Sequence, residues 1–208
     1  MSSPPALSRW RAGPTRLTRL LLGLVLFGLG ESCIVDAHLG ASPWTVLAQG
    51  VAKQSGLALG TTTILLSALV LLAWFPLRQT PGLGTVSNAV VVGLVIDLAL
   101  AHLPTPAPFA LQVLEVLVGI ALVAIGSGLY LTARLGAGPR DGLMTGLHRV
   151  TGRSIRAVRA TLEVSVCVVG LVLGGTFGLG TVAFALLIGP SVQLALDLLG
   201  ARGQAGQL

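Results

Sequence analysis

The sequence predicts an all-α polytopic membrane protein: six transmembrane helices forming two inverted-topology three-helix repeats, each with a short amphipathic or re-entrant helix. Three observations predict it. The composition is too apolar for water, six apolar stretches of spanning length alternate with gaps in which arginine is strongly biased, and the chain aligns with itself without gaps.

Of 208 residues, 53% are hydrophobic and 10% charged, and mean hydropathy is +0.90. A soluble domain carries about 25% charged residues, so too little polar surface exists to face water on all sides. Lipid as solvent removes that demand. The net charge of +6 does not indicate nucleic-acid binding, because the arginines form no single basic face with interleaved aromatics. Cys33 and Cys167 sit inside apolar runs without paired spacing, which argues against a disulfide framework or a zinc site. No metal or cofactor is expected.

A helix needs about 20 mostly apolar residues to cross a core roughly 30 Å thick. Six stretches qualify: about 17–39, 58–77, 84–102, 109–134, 155–175 and 180–199. Residues 1–16 read as a flexible cytoplasmic segment. Arg9, Arg11, Arg16 and Arg19 before an apolar stretch resemble a signal peptide, but no clean cleavage site follows, so the stretch reads as a retained first helix. Pro76, Pro81, Gly82 and Gly84 separate the second and third stretches. Pro104, Pro106 and Pro108 separate the third and fourth, and Gly174, Gly175, Gly178 and Gly180 the fifth and sixth. With the N-terminus inside, twelve arginines fall in inner segments, from Arg9 to Arg202, and only Lys53 falls outside. This bias fits six spans with both termini cytoplasmic. Residues 17–102 form the first repeat, 103–200 the second, and 201–208 a flexible tail.

Two segments are too short to span. In 43–55, Trp44, Leu47 and Val51 share a helix face; in 139–151, Leu143, Leu147 and Val150 do. Each either lies in the interface or dips into the membrane as a half-helix.

Shifted by 96 residues, 39–100 matches 135–196 at 21 of 62 positions. Apolar composition alone does not produce such matched glycine and proline punctuation. Three spans per copy is an odd number, so the second copy stands inverted, the architecture of many secondary transporters. In the repeated motif, Gly40 and Gly136 permit a sharp reversal, Ser42 suits an N-cap, and Pro43 and Pro139 suit first helical positions. Asp141 sits favourably in the first turn. A half-helix dipping inward would offer its N-terminal N–H groups to an anion. Gly82, Gly84, Gly178 and Gly180 permit tight turns, with Thr85 and Thr181 as caps.

On these residues, above all Gly40-Ala-Ser-Pro-Trp44, Gly82-Leu-Gly-Thr85, Gly136-Ala-Gly-Pro-Arg-Asp-Gly-Leu-Met144 and Thr151-Gly-Arg153, the chain resembles the YczE/YyaS/YitT-like family of bacterial membrane proteins, most closely the YczE type. The resemblance covers roughly 20–200 and implies a location in the bacterial inner membrane.

Ionisable groups inside spans are costly and mark function by default. Glu31 lies near the middle of the first span, with Phe27 and Val35 one turn away. A buried carboxyl without a partner favours its neutral form, which suits a proton carrier. Glu163 has Arg159 and Arg156 on its own face. Asp97 aligns with Gln193 under the repeat, one turn beyond Gly93 and Gly189, and these helices are expected to pack closely there. Asp36 lies near the outer end of the first span. Arg140 and Asp141, with Arg159, are candidates for a cytoplasmic gate. Asp36, His38 and Ser42 do not make a hydrolase triad, since no nucleophile elbow surrounds Ser42. No zinc-protease or phosphate-loop motif occurs, and an enzyme is not expected.

The leading expectation is a secondary transporter of an unidentified small solute, proton-coupled through Glu31, Glu163 or Asp97. The alternative is a non-transporting assembly or regulatory protein whose Gly119 and Gly126 form a partner or homo-oligomer face. The lipid bilayer is the expected surrounding in both.

Overall fold

The computed structural model describes residues 9–104 and 108–199, and these are helices joined by turns, with no strand among them. Residues 1–8, Pro106, Arg202 and the 201–208 tail lie outside the described residues. Eight helices follow in order: α1 (Pro14–Asp36), α2 (Pro43–Ser55), α3 (Leu59–Trp74), α4 (Leu83–Leu100), α5 (Phe109–Thr132), α6 (Pro139–Thr151), α7 (Ile155–Val172) and α8 (Leu179–Leu198). Each expected stretch is therefore a helix. Proline at the first position starts α1, α2 and α6, where the missing N–H has no partner to lose. Gly56 and Gly152 end α2 and α6 in the left-handed conformation, φ 73° and 66°, as helix C-termini favour.

Four helices, α1, α4, α5 and α8, are long and apolar enough to cross a membrane, and α2 with α3 would make a fifth as one span bent by 111°. The sequence expectation was six. The 16 residues of α3 reach about 24 Å, short of the roughly 30 Å core, and α7 carries Arg156, Arg159 and Glu163 within its 18 residues.

The helices α1 and α5 cross at the centre on glycine. A Cβ on Gly30 would stand 2.5 Å from the Gly119 carbonyl, and one on Gly126 would stand 2.5 Å from that of Gly23. Gly119 and Gly126 are thus packed inside the chain and present no partner face. Apolar clusters flank this crossing. Ile34, Ile120 and Phe184 join α1, α5 and α8, while Leu20, Val92 and Tyr130 join α1, α4 and α5. The short helices pack across the halves, α2 on α7 and α6 on α3.

The repeated glycine motifs dock on one another crosswise. Gly180 N–H donates to Leu39 O at 2.7 Å, and Gly84 N–H to Leu135 O at 2.8 Å. Gly40 and Gly136 reverse the chain at φ 104° and 118°. A Cβ on Gly40 would meet Gly178 N at 2.6 Å, and one on Gly136 would meet Thr85 Oγ1 at 2.7 Å. Thr85 and Thr181 are not N-caps. They stand in the first turns of α4 and α8 and accept back from Gly82 N–H (3.1 Å) and Gly178 N–H (3.3 Å). Thr85 also donates to Ala137 O at 2.7 Å. These contacts hold the starts of α2 and α6 in the interior.

Candidate functional site

The N-termini of α2 and α6 meet at a cavity of about 350 Å³ that receives side chains from all eight helices. Its foundation is Glu31, whose residue is 0% exposed. The Ser42 hydroxyl donates to Glu31 Oε2 at 2.8 Å, and the Thr45 hydroxyl donates to the same oxygen at 2.7 Å. The expected side-chain N-cap from Ser42 is absent because its hydroxyl is turned to Glu31 instead. Arg140 Nη1 lies 4.0 Å from Glu31 Oε1. The expectation of an unpartnered carboxyl is thus corrected: no partner stands on its own helix, but α2 and α6 bring three. A buried charge is tolerable in that setting.

Arg140 belongs to the site rather than to a cytoplasmic mouth. Its side chain is three-quarters buried, and its guanidinium stacks over Trp44, 5.4 Å from the ring centroid. Trp74 at the end of α3 fixes this end of α6, donating from Nε1 to Pro139 O at 2.9 Å; its ring takes the space that a Cβ on Gly142 would need. Asp141 accepts from the buried Tyr130 hydroxyl, and Tyr130 packs edge-on against Phe27 at 6.5 Å. From α7, Arg159 Nε donates to Glu163 Oε1 at 2.8 Å, and Arg156 lines the same space.

Gln193 also lines the cavity and donates to Asp197 at 3.2 Å. Its aligned residue Asp97 does not line it. Asp97 caps α3, accepting from Gly60 N–H at 2.5 Å, Thr61 N–H at 2.9 Å and the Thr61 hydroxyl at 3.1 Å. Three free donors at the α3 start took this carboxylate, and a solute role for it is not supported. Asp97→Ala should lower stability by about 1–2 kcal/mol, as loss of a helix cap does, read as a lower thermal midpoint. Ligand affinity should be unchanged. Asp36 is buried near the end of α1 and is not among the cavity-lining residues. Among the described residues, no cluster of three or more His, Cys, Asp or Glu could hold a metal.

Trp44, Thr45 and Tyr130 do not stand out in the sequence as site residues. The repeat carried a signal for two of them, since Trp44 and Thr45 align with Arg140 and Asp141.

Comparison with known proteins settles the kinship. A family described as of unknown function (DUF6198) matches residues 14–197. The chain belongs to this family. An uncharacterized protein of Haemophilus influenzae is 43% identical over 194 residues, covering 93% of this chain and 89% of that protein. The uncharacterized membrane protein YczE of Bacillus subtilis is 31% identical over 183 residues, 87% of this chain and 85% of YczE. YyaS of the same organism is 26% identical over 181 residues, 85% and 90% of the two chains. No solved structure matches. The similarity to YczE and YyaS therefore holds over most of the chain, and the family is one of membrane proteins.

Proposed function

We propose that the chain is a secondary transporter of a small solute in the bacterial inner membrane. In this reading α1, α3, α4, α5, α7 and α8 are six spans in two inverted repeats, with α2 and α6 re-entrant and both termini cytoplasmic. The charges of α7 are compatible with a span because they line the cavity rather than lipid.

One observation carries the reading: equivalent joints of the two halves are closed in one and open in the other. Between α3 and α4, Gly60 lies against Gly93, and Asp97 clamps the α3 start. At the equivalent position of α8, Gly189 has nothing within 4 Å and lines the cavity. Among the described residues α7 packs on α2 and α6, with no comparable packing on α8. Two like halves in unlike states at one central cavity are what alternating access requires. Exchange would close α7 onto α8 and release α3 from α4. Pro190, inside α8 beside Gly189, removes a backbone hydrogen bond where such a bend would fall. Glu31 is the carboxylate placed to couple the movement to protons.

The test is a panel of small metabolites screened for a rise in thermal midpoint, followed by uptake of the stabilising solutes into proteoliposomes. At least one should be carried, and a membrane-impermeant maleimide should label Gln193→Cys, in a background lacking Cys33 and Cys167, from the arginine-rich side only. Labelling from the opposite face alone, or no flux of any stabilising solute, would sink the proposal.

A further inference from the structure

We infer that the cavity holds an oxyanion group, carboxylate or phosphate, between the Trp44 indole N–H and the Arg140 guanidinium, with the apolar remainder of the solute against Phe27 and Phe184. The inference deepens the transporter reading by naming a solute class.

Trp44 and Arg140 both line the cavity, and their donors lack acceptors among the described residues. Trp44 is 8% exposed, and its Nε1 is buried with no hydrogen-bond partner among the described residues. An unmet buried donor is costly and calls for a partner. Arg140 stacks on that same indole. Among the described residues its guanidinium makes no hydrogen bond, its nearest carboxylate standing at 4.0 Å. A guanidinium presents five donors in a fork that fits carboxylate or phosphate. Glu31 already holds two hydroxyl donors, so it does not satisfy that fork. Both short helices begin here with proline and without a side-chain cap, and their N-terminal ends favour negative charge. A cation would face Arg140, Arg156 and Arg159, and of the lining carboxylates Asp141 is engaged by Tyr130 and Glu163 by Arg159; a neutral solute would leave the fork unmet. Phe27, Val123, Phe184 and Ile188 supply an apolar wall for the body of the solute.

The probes are benzoate and phenyl phosphate, against neutral benzamide and cationic benzylamine, with purified full-length protein in neutral detergent. Thermal midpoint and calorimetry read binding, and phosphatidylglycerol in mixed micelles separates a lipid headgroup from a soluble ion. Benzoate or phenyl phosphate should bind, benzamide and benzylamine should not, and phosphatidylglycerol should not displace the bound probe. Trp44→Phe keeps the ring and removes the N–H, and should weaken binding at least about tenfold. Arg140→Gln should abolish measurable binding; should it fail to fold, Trp44→Phe still decides. Absence of binding by either oxyanion, equal binding of benzylamine, displacement by phosphatidylglycerol, or unchanged affinity in Trp44→Phe would each overturn the site. Oxyanion binding without uptake would retire the transport reading and leave the site. Uptake of another solute without oxyanion binding would do the reverse.

Discussion

Gly93→Ala should destabilise the protein, whereas Gly189→Leu should leave its stability intact and stop its flux. These glycines are equivalent under the repeat, so sequence alone assigns them one fate. The structure gives them different surroundings. A Cβ on Gly93 would stand 2.5 Å from both Gly60 O and Ile64 Cγ1. The α3 and α4 backbones are in contact there and cannot yield without releasing the Asp97 clamp. Overpacking of this kind costs about 1–3 kcal/mol. Gly189 opens on the cavity with nothing within 4 Å, so a leucine has room, and the change in stability should stay within about 0.5 kcal/mol. Under the proposed exchange it would fill the space that α7 enters when the open half closes. Thermal midpoints and proteoliposome uptake measured on both variants check this. Normal flux in Gly189→Leu would show that α7 and α8 need not approach each other.

The second large effect concerns Glu31. Glu31→Leu is close in size but removes the acceptor on which Ser42 and Thr45 converge and the negative charge nearest Arg140. Breaking a buried pair by deleting one partner costs about 3–5 kcal/mol, because the remaining donors and charge stay buried. Little folded protein should be recovered. Glu31→Gln keeps an acceptor oxygen for the two hydroxyls and should fold. Without the carboxylate, Arg140 has one competitor fewer, so oxyanion affinity should rise. Uptake should lose its dependence on an imposed pH gradient if Glu31 carries the coupling proton. Uptake that follows the gradient equally in Glu31→Gln and native protein would move the coupling elsewhere, with Glu163 next to be tested.

Much of the helical framework was legible because its signals are local. Pro43 and Pro139 marked two helix starts to the residue, and Gly56 and Gly152 marked their ends. The site was legible only in part. Glu31 and Glu163 stand out in the sequence as costly intramembrane charges and lie at or beneath the cavity; Arg140 reads there as a cytoplasmic gate, and only the fold brings it to Glu31. Asp97 met the same criterion and proved to be a helix cap, because a carboxylate in an apolar span looks the same in sequence whether it awaits a solute or three donors on the next helix. Gly119 and Gly126 read equally well as an outward face, since a stripe of small residues does not reveal which helix it receives.

The sequence by itself determined that this chain belongs in lipid, that it is helical, where its helices run, and that its second half echoes its first. Composition, apolar run length and turn chemistry settle these points within a few turns of chain. Only the tertiary structure decided which carboxylate is buried among donors, which arginine reaches it, and which of two equivalent joints is closed. Those are meetings between distant segments, and their outcome depends on how closely backbones approach at Gly30, Gly60 and Gly126. Nothing local in the sequence carries that distance.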